Sequence, residues 1–185
     1  MEFIRTEIEG AFLVKPKVFG DERGWFYESW NRAEAERSGL FYDFVQDNHS
    51  FSAEKGTLRG LHFQRGAAAQ AKLVRCVRGA VFDVAVDLRK NSPSYLKWIS
   101  AELSAENRLQ LLLPRGLAHG FLTLTDNVEF LYKADNFYAP GSEGSIRWDD
   151  PVLGIRWPGK VRVISEKDAA APFFDGSAVY FQEAP

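Results

Sequence analysis

Val81-Phe82-Asp83-Val84-Ala85-Val86-Asp87-Leu88 is the longest of several short runs rich in valine, phenylalanine, leucine and threonine. Others lie at 12–14, 73–77, 98–103, 108–113, 120–125 and 128–132, each bounded by glycine, proline, asparagine or aspartate. Turn signals recurring every 8 to 12 residues or so favour an all-β sandwich or barrel over alternating βαβ units. The expectation is a jelly-roll-like β-barrel.

Helix is scarce outside these runs. Asn31-Arg32-Ala33-Glu34-Ala35-Glu36-Arg37-Ser38-Gly39 carries a capping asparagine, good helix formers and a stopping glycine, which predicts one short surface helix. Ser165-Glu166-Lys167-Asp168 has the form of a helix start, with serine as cap and an acid three residues on. The stretch 138–144 reads as a loop, and there is no internal repeat, low-complexity tract or linker. At 185 residues the expectation is one domain over 1–185, with its jelly-roll core at roughly 12–165.

Composition narrows the function classes. No uninterrupted apolar run approaches the 18 or so residues of a membrane-spanning helix. Met1-Glu2-Phe3-Ile4-Arg5-Thr6-Glu7 lacks the basic and apolar regions of a secretory leader, so a cytoplasmic location is the default. Cys76 is the only cysteine, which excludes an internal disulfide framework and thiolate clusters; it reads as a buried strand thiol. A net charge of −2 argues against a nucleic-acid partner, while local arginines still suit a small anionic ligand.

The chemistry centres on Thr57-Leu58-Arg59-Gly60-Leu61-His62-Phe63-Gln64, followed closely by Lys72. An imidazole and an ammonium on successive strands are a simple kit for removing a proton beside a carbonyl and holding the resulting negative charge. Alternation puts His62 with Gly60 and Gln64, away from Leu61 and Phe63. His49, His62 and His119 occur singly with no His-x-His pair, so no metal is expected. Tyr132 reads either as an amphipathic packing residue or as an acid opposite the histidine. Asp168 either completes the cap begun at Ser165 or accepts a hydrogen bond from His62; spacing alone favours the cap. Phe19-Gly20-Asp21-Glu22-Arg23-Gly24-Trp25-Phe26-Tyr27-Glu28 mixes guanidinium and aromatic rings as a nucleoside diphosphate would require, and is equally a good turn sequence.

From Phe12 to Asp168 the chain resembles the dTDP-4-dehydrorhamnose 3,5-epimerase family. The resemblance rests on Phe19-x-Asp21-x-Arg23-Gly24-x-Phe26-x-Glu28, Gln46-x-Asn48-x-Ser50, Arg59-Gly60-Leu61-His62-x-Gln64, Lys72-Leu73-Val74-Arg75, the run 83–89, Ala118-His119-Gly120-Phe121 and the segment 146–151. It implies a metal-free and cofactor-free jelly roll of the cupin type, usually a homodimer, that inverts the carbons flanking the C4 ketone of a dTDP-4-keto-6-deoxy sugar. By the same resemblance His62 is the base, Asp168 its carboxylate partner, Tyr132 the acid on the opposite face and Lys72 the enolate stabiliser. Arg59, His119, Gln46, Asn48 and Glu143 are implied around sugar and diphosphate, and Tyr138 near the thymine. Phe19, Arg23, Phe26 and Glu28 are implied at the nucleotide, partly from the neighbouring subunit. Two features depart from the family: alanines fill the loop 65–71, and Leu117 stands where an aromatic is common. The alternative activity is epimerisation at one carbon only. A non-catalytic sugar-nucleotide-binding barrel and a metal-dependent cupin are more distant rivals.

Overall fold

The protein, described here by a computed structural model over residues 1–182, is built from two facing sheets. Its strands in chain order are β1 (Glu2–Arg5), β2 (Phe12–Lys15), β3 (Phe19–Asp21), β4 (Gly24–Phe26), β5 (Gln46–Ser52), β6 (Thr57–Gln64) and β7 (Lys72–Arg78). After them come β8 (Ala80–Asp87), β9 (Trp98–Ser104), β10 (Gln110–Leu113), β11 (Leu117–Thr123), β12 (Val128–Ala134), β13 (Glu143–Ser145) and β14 (Val163–Ile164). Two short helices, α1 (Arg32–Arg37) and α2 (Glu166–Ala169), lie outside the sheets. The first sheet has the order β1-β2-β10-β7-β12-β5 and the second β13-β6-β11-β8-β9. β13 runs antiparallel and β14 parallel to successive parts of the same β6 edge. β3 and β4 form a separate hairpin. This is the expected all-β jelly-roll arrangement, with helices confined to its periphery.

β8 explains why its sequence is almost continuously apolar. Val81 and Ala85 face the first sheet and pack with Val74, Cys76, Phe121 and Phe130 in the central core. Val84, Val86 and Leu88 face the other way, into a second apolar layer completed by Ile146, Leu153 and Phe181. A strand covered on both faces has no solvent side on which to place polar residues. Burying each large side chain in these layers stabilises the fold by roughly 1.5–3 kcal/mol.

The first sheet is also covered outside, where Trp30, Leu40, Tyr42 and Phe44 lie over Phe12, Val14, Leu73 and Leu112. α1 lies in the chain between Trp30 and Leu40 of this cover. Asn31 caps it by accepting from the Glu34 N–H at 3.2 Å, and Gly39 ends it at φ +78°. The Met1 ammonium reaches Glu34 at 2.8 Å and ties the start of the chain to the helix.

Both departures noted in the sequence are accommodated. Leu117 is a central-core residue. The alanine-rich loop makes a short 3-10 turn at Gly66–Ala68, held by amides: Asn136 donates to the Ala67 carbonyl and Gln64 to that of Ala68, each at 2.8 Å.

Candidate active site

A β-bulge in β6 shapes the site. Passing from His119 to Phe121 along β11 takes two residues, while the paired stretch of β6 from His62 to Arg59 takes three. Strict alternation would turn Arg59 and His62 to opposite faces; the extra residue brings both to the inner one. Two glycines permit the close approach. A Cβ on Gly60, at φ +126°, would lie 2.6 Å from the Gly120 Cα, and one on Gly120 would lie 2.7 Å from the Arg59 carbonyl oxygen. His62 thereby faces the space between the sheets, while Leu61 and Phe63 enter the outer apolar layer as alternation requires.

Asp168 carries both functions that its sequence position allowed. Its backbone N–H bonds the Ser165 hydroxyl at 3.1 Å and so starts α2, while its carboxylate meets His62 Nε2 at 2.6 Å and accepts from the Gly60 N–H at 3.3 Å. Burial pushes this carboxyl up, but the bond to His62, the charge of that ring and the Gly60 N–H more than offset it. The net pKa lies below the usual carboxylate value. Asp168 is therefore an ionised acceptor that orients the imidazole.

The opposite wall comes from the first sheet. Lys72 on β7 and Tyr132 on β12 face His62 across a cavity of about 490 Å³, with the Lys72 ammonium 5.6 Å from the Tyr132 ring centroid. Burial lowers the Lys72 pKa to about 8, although the charges of Asp83 and Glu143 work against it. Burial also raises the Tyr132 pKa, which keeps its phenol protonated and able to donate at neutral pH. His119 lies directly opposite His62 on the neighbouring strand, and its Nε2 is held by both oxygens of Asp83 at 2.9 and 3.1 Å. Each of the three histidines bonds a carboxylate of its own, His49 pairing with Glu129 on the outer surface. Among the described residues no group of three or more His, Cys, Asp or Glu is placed to hold a metal ion.

The rim is cross-linked. Glu143 accepts from Lys167 at 2.6 Å and from the Tyr138 hydroxyl at 3.3 Å, and Gln46 accepts from the Tyr138 N–H at 2.9 Å. Arg59 donates to the Ser52 hydroxyl at 3.3 Å and to the Phe51 carbonyl at 3.0 Å. Of the sequence candidates, Arg59, His62, Lys72, His119, Tyr132, Tyr138, Glu143 and Asp168 line the cavity. Gln46 braces it from β5, and Asn48 projects from the same strand with its buried Nδ2 unpaired.

Four candidates lie apart from the cavity within this chain. Phe19, Arg23 and Phe26 sit on the exposed β3–β4 hairpin, where Arg23 pairs with Asp21 and the Arg108 guanidinium stands 4.6 Å from the Trp25 ring centroid. Glu28 accepts from the Asn31 side chain at 2.9 Å. Sequence reasoning missed Lys167, Asp83 and the cavity-lining role of Gln64, whose Oε1 accepts from the Ala139 N–H at 2.6 Å. Lys167 adjoins the singled-out Asp168, and Asp83 sits inside a quoted run; neither carries a signal of partnership until the strands are paired.

A profile described as dTDP-4-dehydrorhamnose 3,5-epimerase matches residues 5–176. A protein of that name from Salmonella typhimurium is 56% identical over 177 residues, covering 95% of this chain and 96% of the relative. A Bacillus anthracis crystal structure of the same name, with TDP and PPi bound, has a TM-score of 0.91 at 45% identity, covering 94% of this chain and 99% of that one. A Legionella pneumophila dTDP-6-deoxy-D-glucose-3,5-epimerase, in complex with dTDP-4-keto-L-rhamnose, has a TM-score of 0.88 at 46% identity over 93% of this chain and 92% of that one. With the family profile covering nearly the whole chain and its fold shared with solved epimerases, the chain belongs to the dTDP-4-dehydrorhamnose 3,5-epimerase family, enzymes of the isomerase class.

Proposed function

We propose that the protein inverts C3 and C5 of dTDP-4-keto-6-deoxy-D-glucose to give dTDP-4-keto-L-rhamnose. The carrying observation is the confrontation of His62, oriented by Asp168, with Tyr132 and the Lys72 ammonium across one cavity. A C4 ketone acidifies the hydrogens on both neighbouring carbons, because the carbanion delocalises onto oxygen. With Nε2–H donated to Asp168, His62 has Nδ1 as its proton-accepting nitrogen. It takes the proton from the substrate carbon, and the electron pair moves into the enolate with its charge on O4. Lys72 stabilises that oxygen where a preorganised charge contributes most to rate. Tyr132 delivers a proton to the same carbon from the opposite face, the product carbon is inverted, and solvent resets both groups before the second carbon reacts.

Arg59, His119, Glu143 and Tyr138 hold the sugar and diphosphate in this reading, with Gln46 and Asn48 beside them. The β3–β4 hairpin, with Phe19, Arg23, Phe26 and the following Glu28, completes the nucleotide site of a second copy in a homodimer. The exposure of Phe19 and Phe26 supports a role outside their own chain. The enzyme works on a soluble sugar nucleotide in the cytoplasm, as one domain and with no cofactor. No helix among the described residues is long and apolar enough to cross a membrane.

Turnover of dTDP-4-keto-6-deoxyglucose in heavy water, followed by NMR, tests the reaction. Deuterium is expected at both C3 and C5. Wash-in at one carbon would replace the double epimerisation with a single one, and no wash-in with tight binding would leave a non-catalytic barrel.

A further inference from the structure

Position 83 is anomalous for its surroundings. Its neighbours on the inner face of β8, Val81 and Ala85, are fully buried members of the central core, yet Asp83 puts a carboxylate between them with 0% exposure. A buried charge persists only where partners compensate it. The other buried carboxylate of the strand, Asp87, is fully supplied: Arg89, Ser92 and Ser94 all reach it within 2.8 Å. Asp83 has one hydrogen-bonding side chain, His119, and both its oxygens are spent on a single ring nitrogen.

We propose that Asp83 is a positioning residue of the epimerisation, fixing the ring of His119 and providing the counter-charge that keeps the Lys72 ammonium protonated as the ketone gathers negative charge. The inference rests on the reading of Lys72 as the oxyanion stabiliser. The groups around it fit. From β7 come Lys72 and the neutral Cys76 thiol, from β11 His119, and from β13 the carboxylate of Glu143. Arg89 is committed to Asp87, and Lys167 to Glu143. Burial on balance holds the Asp83 carboxyl above its ordinary pKa, while the charge and hydrogen bond of His119, and then the Lys72 ammonium, draw it back down; in turn the Asp83 carboxylate raises the ammonium's pKa against the effect of burial. Without the carboxylate, Lys72 would lose its proton at lower pH and the enolate its stabilising charge.

The test is the pH profile of purified Asp83→Asn, an isosteric change that removes the charge and leaves one oxygen to accept from His119. Its kcat is expected to fall roughly tenfold or more at neutral pH, with KM changed less. The alkaline limb of kcat is expected to move to lower pH by several tenths of a unit to about one unit. Asp83→Glu should bring that limb back toward its wild-type position even if kcat stays low. An unmoved alkaline limb in a well-folded Asp83→Asn would overturn the proposal, since a merely structural role changes stability and not the limb. Should the variant not fold, wild type and Asp83→Glu labelled with [ζ-15N]lysine decide: the Lys72 ammonium, identified by its loss in Lys72→Met, is expected to titrate at a different pH in the two. A Lys72 titration unchanged by moving the carboxylate overturns the idea. Wild-type protein that fails to exchange deuterium would refute the proposed function instead, which keeps the two failures separate.

Discussion

His62 and Asp168 meet at 2.6 Å with the carboxylate almost wholly buried, so each can be tested separately. His62→Ala removes the proposed base and is expected to lower kcat by about 10²–10⁴-fold while leaving KM within a fewfold, measured by coupled turnover of the keto sugar. Tyr132→Phe should stop reprotonation yet still allow the first proton to be lost. Asp168→Asn keeps the shape but not the charge, and its consequence extends to stability. Because the folded carboxyl has a lowered pKa, its ionised form stabilises the native state above the unfolded value of about 3.9, and that contribution is lost as pH falls through the folded value. Thermal midpoints of the wild type should therefore drop more steeply than those of Asp168→Asn as pH falls from about 5 to 3. The identity of this acid illustrates what one dimension hides. Spacing showed Asp168 as a cap residue, which it is through its backbone N–H; that the carboxylate is thereby left free for a ring 106 positions earlier follows only from strand pairing.

At the scale of elements, the apolar strands were legible because burial on one or both faces writes itself into composition. β7, β8, β9 and β12 each coincide, within a residue or two at their ends, with runs visible in the chain. β5 was hidden for the opposite reason: Gln46-Asp47-Asn48-His49-Ser50-Phe51-Ser52 is a sheet edge whose inward row flanks a polar cavity, so it lacks the hydrophobic alternation of a core strand. Arg108 and Leu109 also left their expected strand, Arg108 turning at φ +57° before β10 begins. The bulge in β6 was equally invisible, since alternation groups His62 with Gly60 and Gln64 and gives no sign of the extra residue. Its importance gives an element-level prediction. Gly60→Ala must place a Cβ at φ +126° and 2.6 Å from Gly120 Cα, so the strand pair has to part. We expect a loss of about 1–3 kcal/mol in denaturant unfolding. Turnover should fall further than that loss alone implies, since Arg59 and His62 would no longer share a face.

For the whole molecule, the distribution of candidates is itself informative. Eight of them surround one cavity, whereas the three on the β3–β4 hairpin project from its surface, with Phe19 and Phe26 more than half exposed. An isologous dimer resolves this if each hairpin serves its neighbour, because two-fold symmetry then completes both sites at once. The arrangement predicts complementation. Arg23→Ala and His62→Ala should each be nearly inactive alone. In a mixed dimer, the subunit that keeps His62 receives an intact Arg23 from its partner, while the other site carries both defects. Random exchange of equal amounts makes half the dimers mixed, each with one working site of two, so activity should recover to about one quarter of wild type. Co-unfolding and refolding the two variants, followed by turnover assay and size-exclusion light scattering, measures both numbers. A mixture no more active than its components would return the hairpin to its own subunit or to no role in the site.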